Sequence, residues 1–260
     1  MHRPHRPFFG ILGFLLILLA IGMYRVTTMP ETYDFPLIRE AQKTIEDITN
    51  STGSMTATDF VEVTSTSSSG VLSKKIQIDV PFLVQAPLGN WDMPYQEACE
   101  EASLISVHHF LDGSAITPEQ ADTEILAMVE WENKEFNYSA DVTVEELKQI
   151  SEDYYHHRAQ LFYEFTIEDM KRLLAAGSPI IVPLAGRDIG NPYYSGEGPW
   201  YHMLVVTGYD GNYFITNDVG TKRGHGYRYP QQRLFDSIHD WNMQKEDIRN
   251  GRRVMMVLEK

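Results

Sequence analysis

The stretch Pro94–Gly113, PYQEACEEASLISVHHFLDG, constrains the fold more than any other part of the chain. Its apolar residues Ala102, Leu104, Ile105, Val107, Phe110 and Leu111 predict a helix that is apolar around much of its circumference. Such a helix is expected to be mostly buried. Gly113 marks a C-terminal stop, and the turn formers Trp91-Asp92-Met93-Pro94 precede its start. The only cysteine in the chain, Cys99, falls where the loop becomes the helix. A thiol in a first helical turn faces unpaired backbone N–H groups and the positive end of the macrodipole, and both favour the nucleophilic thiolate. The competing reading is a small buried hydrophobe, which describes most free cysteines.

What surrounds this helix sets the fold class. Ile76–Val84 alternates as a strand, and the loop APLGNWDMPYQEA leads from Gln85 to the cysteine. Thr117-Pro118 opens a second helix. Thr143 with Glu146 forms a capping box for a third helix, running to about Tyr154. A short strand is expected at Phe162–Phe165, and Thr166 with Asp169 starts a helix that stops at Gly177. The pattern then changes. Pro179–Leu184 reads as a buried strand, and Ala185–Tyr201 as a Gly/Pro/Tyr-rich loop. His202–Tyr209 and Asn212–Asn217 are strands joined by an Asp210-Gly211 turn. Asp218–Tyr227 is expected as a Gly-rich loop, Gln232–Trp241 as a helix and Arg253–Glu259 as a last strand. Helices first and an antiparallel sheet after them make an α+β domain over residues 76–260.

The segment before it has a different character. Phe8–Tyr24 is an uncharged apolar run covering ~25 Å as a helix, long enough to enter a bilayer with its aromatic and arginine flanks. Residues 1–25 are therefore expected to be a transmembrane anchor, with a cleaved signal peptide as the alternative; Ala20-Ile21-Gly22 is a faint cleavage site. Arg3 and Arg6 before the run, and Glu31 and Asp34 beyond it, put the N-terminus inside and the bulk of the chain outside the cytoplasm at a single-pass membrane. Residues 26–75 read as a stalk: a short amphipathic helix at Leu37–Ile48, then a Ser/Thr-dominated tract to Gly70. With 22 basic against 36 acidic side chains and a net charge of -14, the chain lacks the basic footprint of a nucleic-acid binder.

A cysteine nucleophile needs a base, a group to orient that base, and donors for the developing oxyanion. His202 is the candidate base, placed where a loop enters a strand. His225, in a flexible Gly-His-Gly setting, is its rival. His108 and His109 lie too far along the cysteine's helix to reach the thiol, and His156, His157 and His239 carry no partner signal. Asp218 ends the strand antiparallel to the one that His202 starts, so the tight turn brings the two ends side by side. Asn217 is the alternative orienter, but adjacent strand residues point to opposite faces and only one of the two can serve. Gln85, or Gln96, could supply a side-chain amide to the oxyanion beside the Cys99 backbone N–H. Trp91 and Trp200 flank the two catalytic stretches and could wall a substrate groove, with Ala185–Tyr201 as a lid.

The order VPFLVQ, a Trp-containing loop, EACEEAS at a helix start, and then YHMLVVTGYDGNYFITNDVGTKRG resembles the papain-like cysteine peptidases. It is most similar to the branch related to the bacteriocin, or double-glycine, leader peptidases, family thirty-nine. The similarity spans roughly Ile76 to Lys260. It implies Cys99 as nucleophile, His202 as base, Asp218 as orienter and Gln85 at the oxyanion. It also implies a central helix packed on an antiparallel sheet, a peptide or protein substrate and no cofactor. Glu100 and Glu101 stand where the family usually carries glycine after the cysteine, and carboxylates there oppose thiolate formation. They either point away or select basic substrates. The transporter fused to true leader peptidases has no counterpart here. Two other classes compete: a catalytically idle binding module for peptides or cell-wall fragments, and a metal centre of Cys99, His202 and a carboxylate. The second lacks any CxxC or HExxH run.

Overall fold

The computed structural model describes residues 72–243 and 245–259. The expected membrane run, the Leu37–Ile48 helix and the Ser/Thr tract lie outside these residues. Among the described residues, no helix is long and apolar enough to cross a membrane.

Seven strands form one antiparallel sheet: β1 (Lys75–Gln77), β2 (Ala159–Phe162), β3 (Ile180–Ala185), β4 (Tyr201–Asp210), β5 (Tyr213–Asn217), β6 (His225–Pro230) and β7 (Met255–Leu258). Their order is β2-β7-β3-β4-β5-β6, with β1 paired to the far end of β4. The helices are α1 (Cys99–Asp112), α2 (Pro118–Glu135), α3 (Val144–Asp153), α4 (Ile167–Ala175), the single turn α5 (Gly186–Ile189) and α6 (Gln231–Ser237). Mixed helix and antiparallel sheet is thus the architecture, as the order of sequence patterns implies.

The sheet is buried on both faces. Met203 and Val205 of β4 and Met256 of β7 face a core shared with Leu104 and Ile105 of α1 and Ile125 of α2. The alternate residues Leu204 and Val206 face a second core with Met170 and Leu174 of α4. This period-2 division explains why β3 and β4 read as continuous apolar runs. α1 packs directly on β4, the strand that carries His202.

Local signals place the ends. Thr117, Thr143 and Thr166 each accept from the third residue of the following helix, and the side chain at that position returns the bond. Gly113 stops α1 in the left-handed conformation at φ 65°. Several boundaries depart from expectation. β1 ends at Gln77 rather than Val84, because Pro81 has no N–H for a ladder and Asn217 Nδ2 takes the Val80 carbonyl at 2.9 Å. β2 lies three residues earlier than expected, set by its register against β7. α6 stops at Ser237, short of Trp241. β6 is a strand where part of a Gly-rich loop is expected: Gly226 interrupts the apolar alternation, yet Tyr227 and Arg228 hold register against Thr216 and Ile215. Gly208 shows what the close packing of β1 on β4 demands, since a Cβ there would lie 2.2 Å from the Ile76 carbonyl oxygen.

Candidate active site

Cys99 is the first residue of α1, and no side chain caps this helix start. The positive end of the helix dipole therefore lies at the end that carries the thiol. The side chain is buried at 3% exposure yet lines a cleft of about 680 Å³. His202, 1% exposed at the start of β4, lines the same cleft. The far halves of the chain therefore bring the expected nucleophile and base to one opening.

Behind His202 sits Asp218, fully buried. His202 Nε2 donates to Asp218 Oδ1 at 2.9 Å, which leaves Nδ1 as the ring nitrogen available to a proton from the thiol. The same Oδ1 accepts from Gly220 N at 3.1 Å. The other oxygen, Oδ2, accepts from Asn191 Nδ2 at 2.9 Å, Tyr194 OH at 2.8 Å and Tyr229 OH at 2.5 Å. Burial pushes the Asp218 carboxyl up, but the charge of His202 and the bonds from His202, Tyr229 and Tyr194 outweigh it and hold the group at about 2. Asp218 is therefore a carboxylate at every pH of interest. Asn217, the alternative orienter, points the other way, to Val80. His225, the rival base, is exposed and stacks on Phe82 with ring centroids 5.4 Å apart.

The cage of donors around Asp218 escaped the sequence reading. Asn191 and Tyr194 come from the loop before β4, and Tyr229 from the unexpected strand β6. The only available signal was the tyrosine density of that loop. Gly220 belongs to the same cage: a Cβ there would come 2.8 Å from His202 Cε1, so only glycine leaves the imidazole its place.

The remaining expected residues also reach the cleft. Gln85, Gln96, Trp91 and Trp200 all line it. Gln85 Nε2 donates to the carbonyls of Tyr95 at 2.9 Å and Gln96 at 3.0 Å, so both amide hydrogens bind the loop that leads into α1. The guanidinium of Arg187 lies 3.5 Å above the Trp200 ring. The lining also carries charge of both signs, from Lys222 and Arg223 and from Glu97 and Asp141.

Glu100 does not point away from the thiol. It is fully buried, its Oε1 accepts from Val142 N at 3.1 Å, and Cys99 Sγ donates to its Oε2 at 3.0 Å. Glu101 is buried too. Neither lines the cleft, so neither is placed to select basic substrates. Burial, then the charge and hydrogen bond of Glu100, then Asp141 and Glu101 push the Cys99 thiol well above its usual range. In this arrangement the sulfur is a protonated thiol turned toward an acid. Glu100→Gln is expected to raise the rate of Cys99 alkylation at pH 7.5 about tenfold, because it removes the charge beside the sulfur that helps to keep the thiol protonated. Equal iodoacetamide rates in both proteins would show that Glu100 does not restrain the thiol.

A search of curated proteins finds no significant match. Among solved structures, the chain is similar to a Bacillus anthracis protein provisionally described as a C39-like peptidase. The alignment has a TM-score of 0.48 and 15% identity, and covers 72% of this chain and 99% of that one. Residues 77–247, from β1 through the cysteine helix, the His202–Asp218 pair and β6, match the sequence profile of the Peptidase_C39 like family. The chain belongs to that family of papain-like peptidase relatives.

Proposed function

We propose that the domain is a thiol hydrolase of peptide or amide bonds, held outside the cytoplasm by residues 1–25 as a single-pass membrane anchor. The observation that carries this reading is the convergence of Cys99 and His202 on one cleft, with Asp218 fixing His202 through Nε2. Substrate entry turns Sγ away from Glu100 toward His202 Nδ1, which takes the thiol proton. The thiolate attacks the scissile carbonyl, and the oxyanion forms beside the Cys99 backbone N–H. Gln85 serves as second donor by exchanging one of its loop carbonyls for the oxyanion. His202 then protonates the departing amine, and in the second half deprotonates the water that hydrolyses the thioester. Trp91 and Trp200 wall the groove that holds the peptide.

A second reading is favoured by the bond from Cys99 to Glu100: a binding module that uses the cleft without turnover. Incubation of the purified full chain with a mixed peptide library, followed by mass spectrometry, separates the two. The hydrolase reading expects new peptide termini with the native chain and none with Cys99→Ala, while peptide binding persists in both. Binding by both chains with no cleavage by either would leave only the binding module.

A further inference from the structure

The end of α1 remote from Cys99 carries a second constellation. His108 and Asp112 sit one turn apart on α1, and His157 reaches them from the connection between α3 and β2. His108 Nδ1 and His157 Nε2 are 2.9 Å apart. The Asp112 carboxylate lies 3.6 Å from His108 Nε2 and 3.7 Å from His157 Nε2. One donor atom from each residue falls within 4.8 Å of the other two. We propose that these three side chains bind a divalent transition ion of the zinc class.

The donor chemistry selects the ion. Two imidazoles and one carboxylate suit zinc and its neighbours and not magnesium or calcium, which prefer oxygen cages. With zinc bonds of ~2.0–2.1 Å, tetrahedral ligands stand ~3.3 Å apart. With His108 Nδ1 and His157 Nε2 as the ligand atoms, the two ring nitrogens need to open by a few tenths of an ångström, and the Asp112 carboxylate, 3.7 Å from His157 Nε2, needs to close on that nitrogen by a similar amount. Two facing imidazole nitrogens share at most one hydrogen, so at least one already presents a lone pair.

The supports are built. Tyr155 stacks on the His108 ring with centroids 3.9 Å apart. The main chain of His157 is pinned on both sides, its N–H to the Ser151 carbonyl and its carbonyl to Ser151 Oγ, each at 3.0 Å. His156, just before it, takes the left-handed φ of 60° that a non-glycine residue rarely adopts, and this turn aims His157 at α1. His109 is excluded from the site because its ring is held by Ser114 and Glu124. Asp112 is half exposed, which opens the fourth position to water. An ion here would tie the end of the cysteine helix to the α3–β2 connection. The site is independent of whether the cleft is hydrolytic.

Zinc binding is measured on the untagged full chain carrying Cys99→Ser, so that the thiol does not compete. Competition with a chromophoric chelator and the visible absorption of the cobalt derivative report the site. The expected result is one ion bound in four-coordinate geometry, with thermal unfolding raised by about 5 °C or more at saturation. His157→Ala and Asp112→Asn should each weaken binding by about tenfold or more and reduce that rise. Asp112→Asn is partly exposed and serves where His157→Ala fails to fold. No zinc bound by the parent chain, or equal binding by a folded variant, overturns the assignment.

Discussion

Replacement of Asp218 with alanine is expected to cost about 3–5 kcal/mol of stability and to lower hydrolytic turnover by about 10³-fold or more. The physical reason is the number of donors aimed at one small anion. His202, Gly220, Asn191, Tyr194 and Tyr229 all give hydrogen bonds to it, and it is fully buried. Truncation leaves buried donors without acceptors and releases the imidazole from the orientation that aims Nδ1 at the cleft. Asp218→Asn preserves the shape but turns an amide N–H₂ toward other donors, so an intermediate loss follows. Urea unfolding measures the first effect and peptide turnover the second.

The acid side of stability reports the same group. The folded carboxyl lies at about 2, below its ordinary value of 3.8. Its stabilisation is therefore complete above pH ~4 and disappears as pH falls toward 2, a contribution of about 2 kcal/mol. The alanine variant should lack this part of the acid limb. Wild-type-like stability and an unchanged acid limb in Asp218→Ala would show that the cage does not hold the site together.

The second large effect runs the other way with pH. Glu101 of α1 and Glu132 of α2 are buried, and Glu101 Oε2 and Glu132 Oε1 have no hydrogen-bond partner among the described residues. Burial, followed by the charges of Glu101 and Glu146, pushes Glu132 up to about 10. Burial and the charges of Asp141 and Glu97 push Glu101 up to about 8, although its own backbone N–H partly opposes this. A carboxyl raised in this way favours the folded state fully below its unfolded value near 4.5. That contribution is lost as pH rises toward the folded value. Each extra proton held by the folded state gives a slope of at most ~1.4 kcal/mol per pH unit. With a slope of about 1 kcal/mol per unit, unfolding temperature should fall by roughly 6–12 °C between pH 5 and pH 8. Glu132→Gln should match the native protein near pH 5, exceed it at pH 9, and flatten the slope. A native unfolding temperature that stays level over this range would show that these carboxyls ionise freely.

These two groups mark how far residues alone could be read. Cys99, His202 and Asp218 were legible because each sits at an element boundary that local chemistry defines: a helix start, a strand start and the end of a hairpin. Three helix starts were legible for the same reason, since Thr117, Thr143 and Thr166 close their capping boxes within three residues. β6 was not, because its register comes from β5 and not from its own alternation. The direction of Glu100 was not legible either. A helix start specifies where a side chain leaves the backbone, while the packing of Val142 and the thiol decides where the carboxylate ends. His157 carried no signal because it lies in a connection and its partner is 49 residues away on α1.

By itself, the order of residues determined that a mostly buried cysteine helix and a later antiparallel sheet would share one α+β domain, and that one histidine and one aspartate would meet at the strand ends; the packing of that helix on the sheet was implied by the family resemblance. Periodicity and capping act within a few residues, and a tight turn converts sequence separation into spatial pairing. Only the tertiary structure decided which groups ring Asp218, that Glu100 accepts the hydrogen bond of the thiol, and that His108, Asp112 and His157 meet. Those outcomes depend on distances between side chains far apart in the chain, and packing alone sets them.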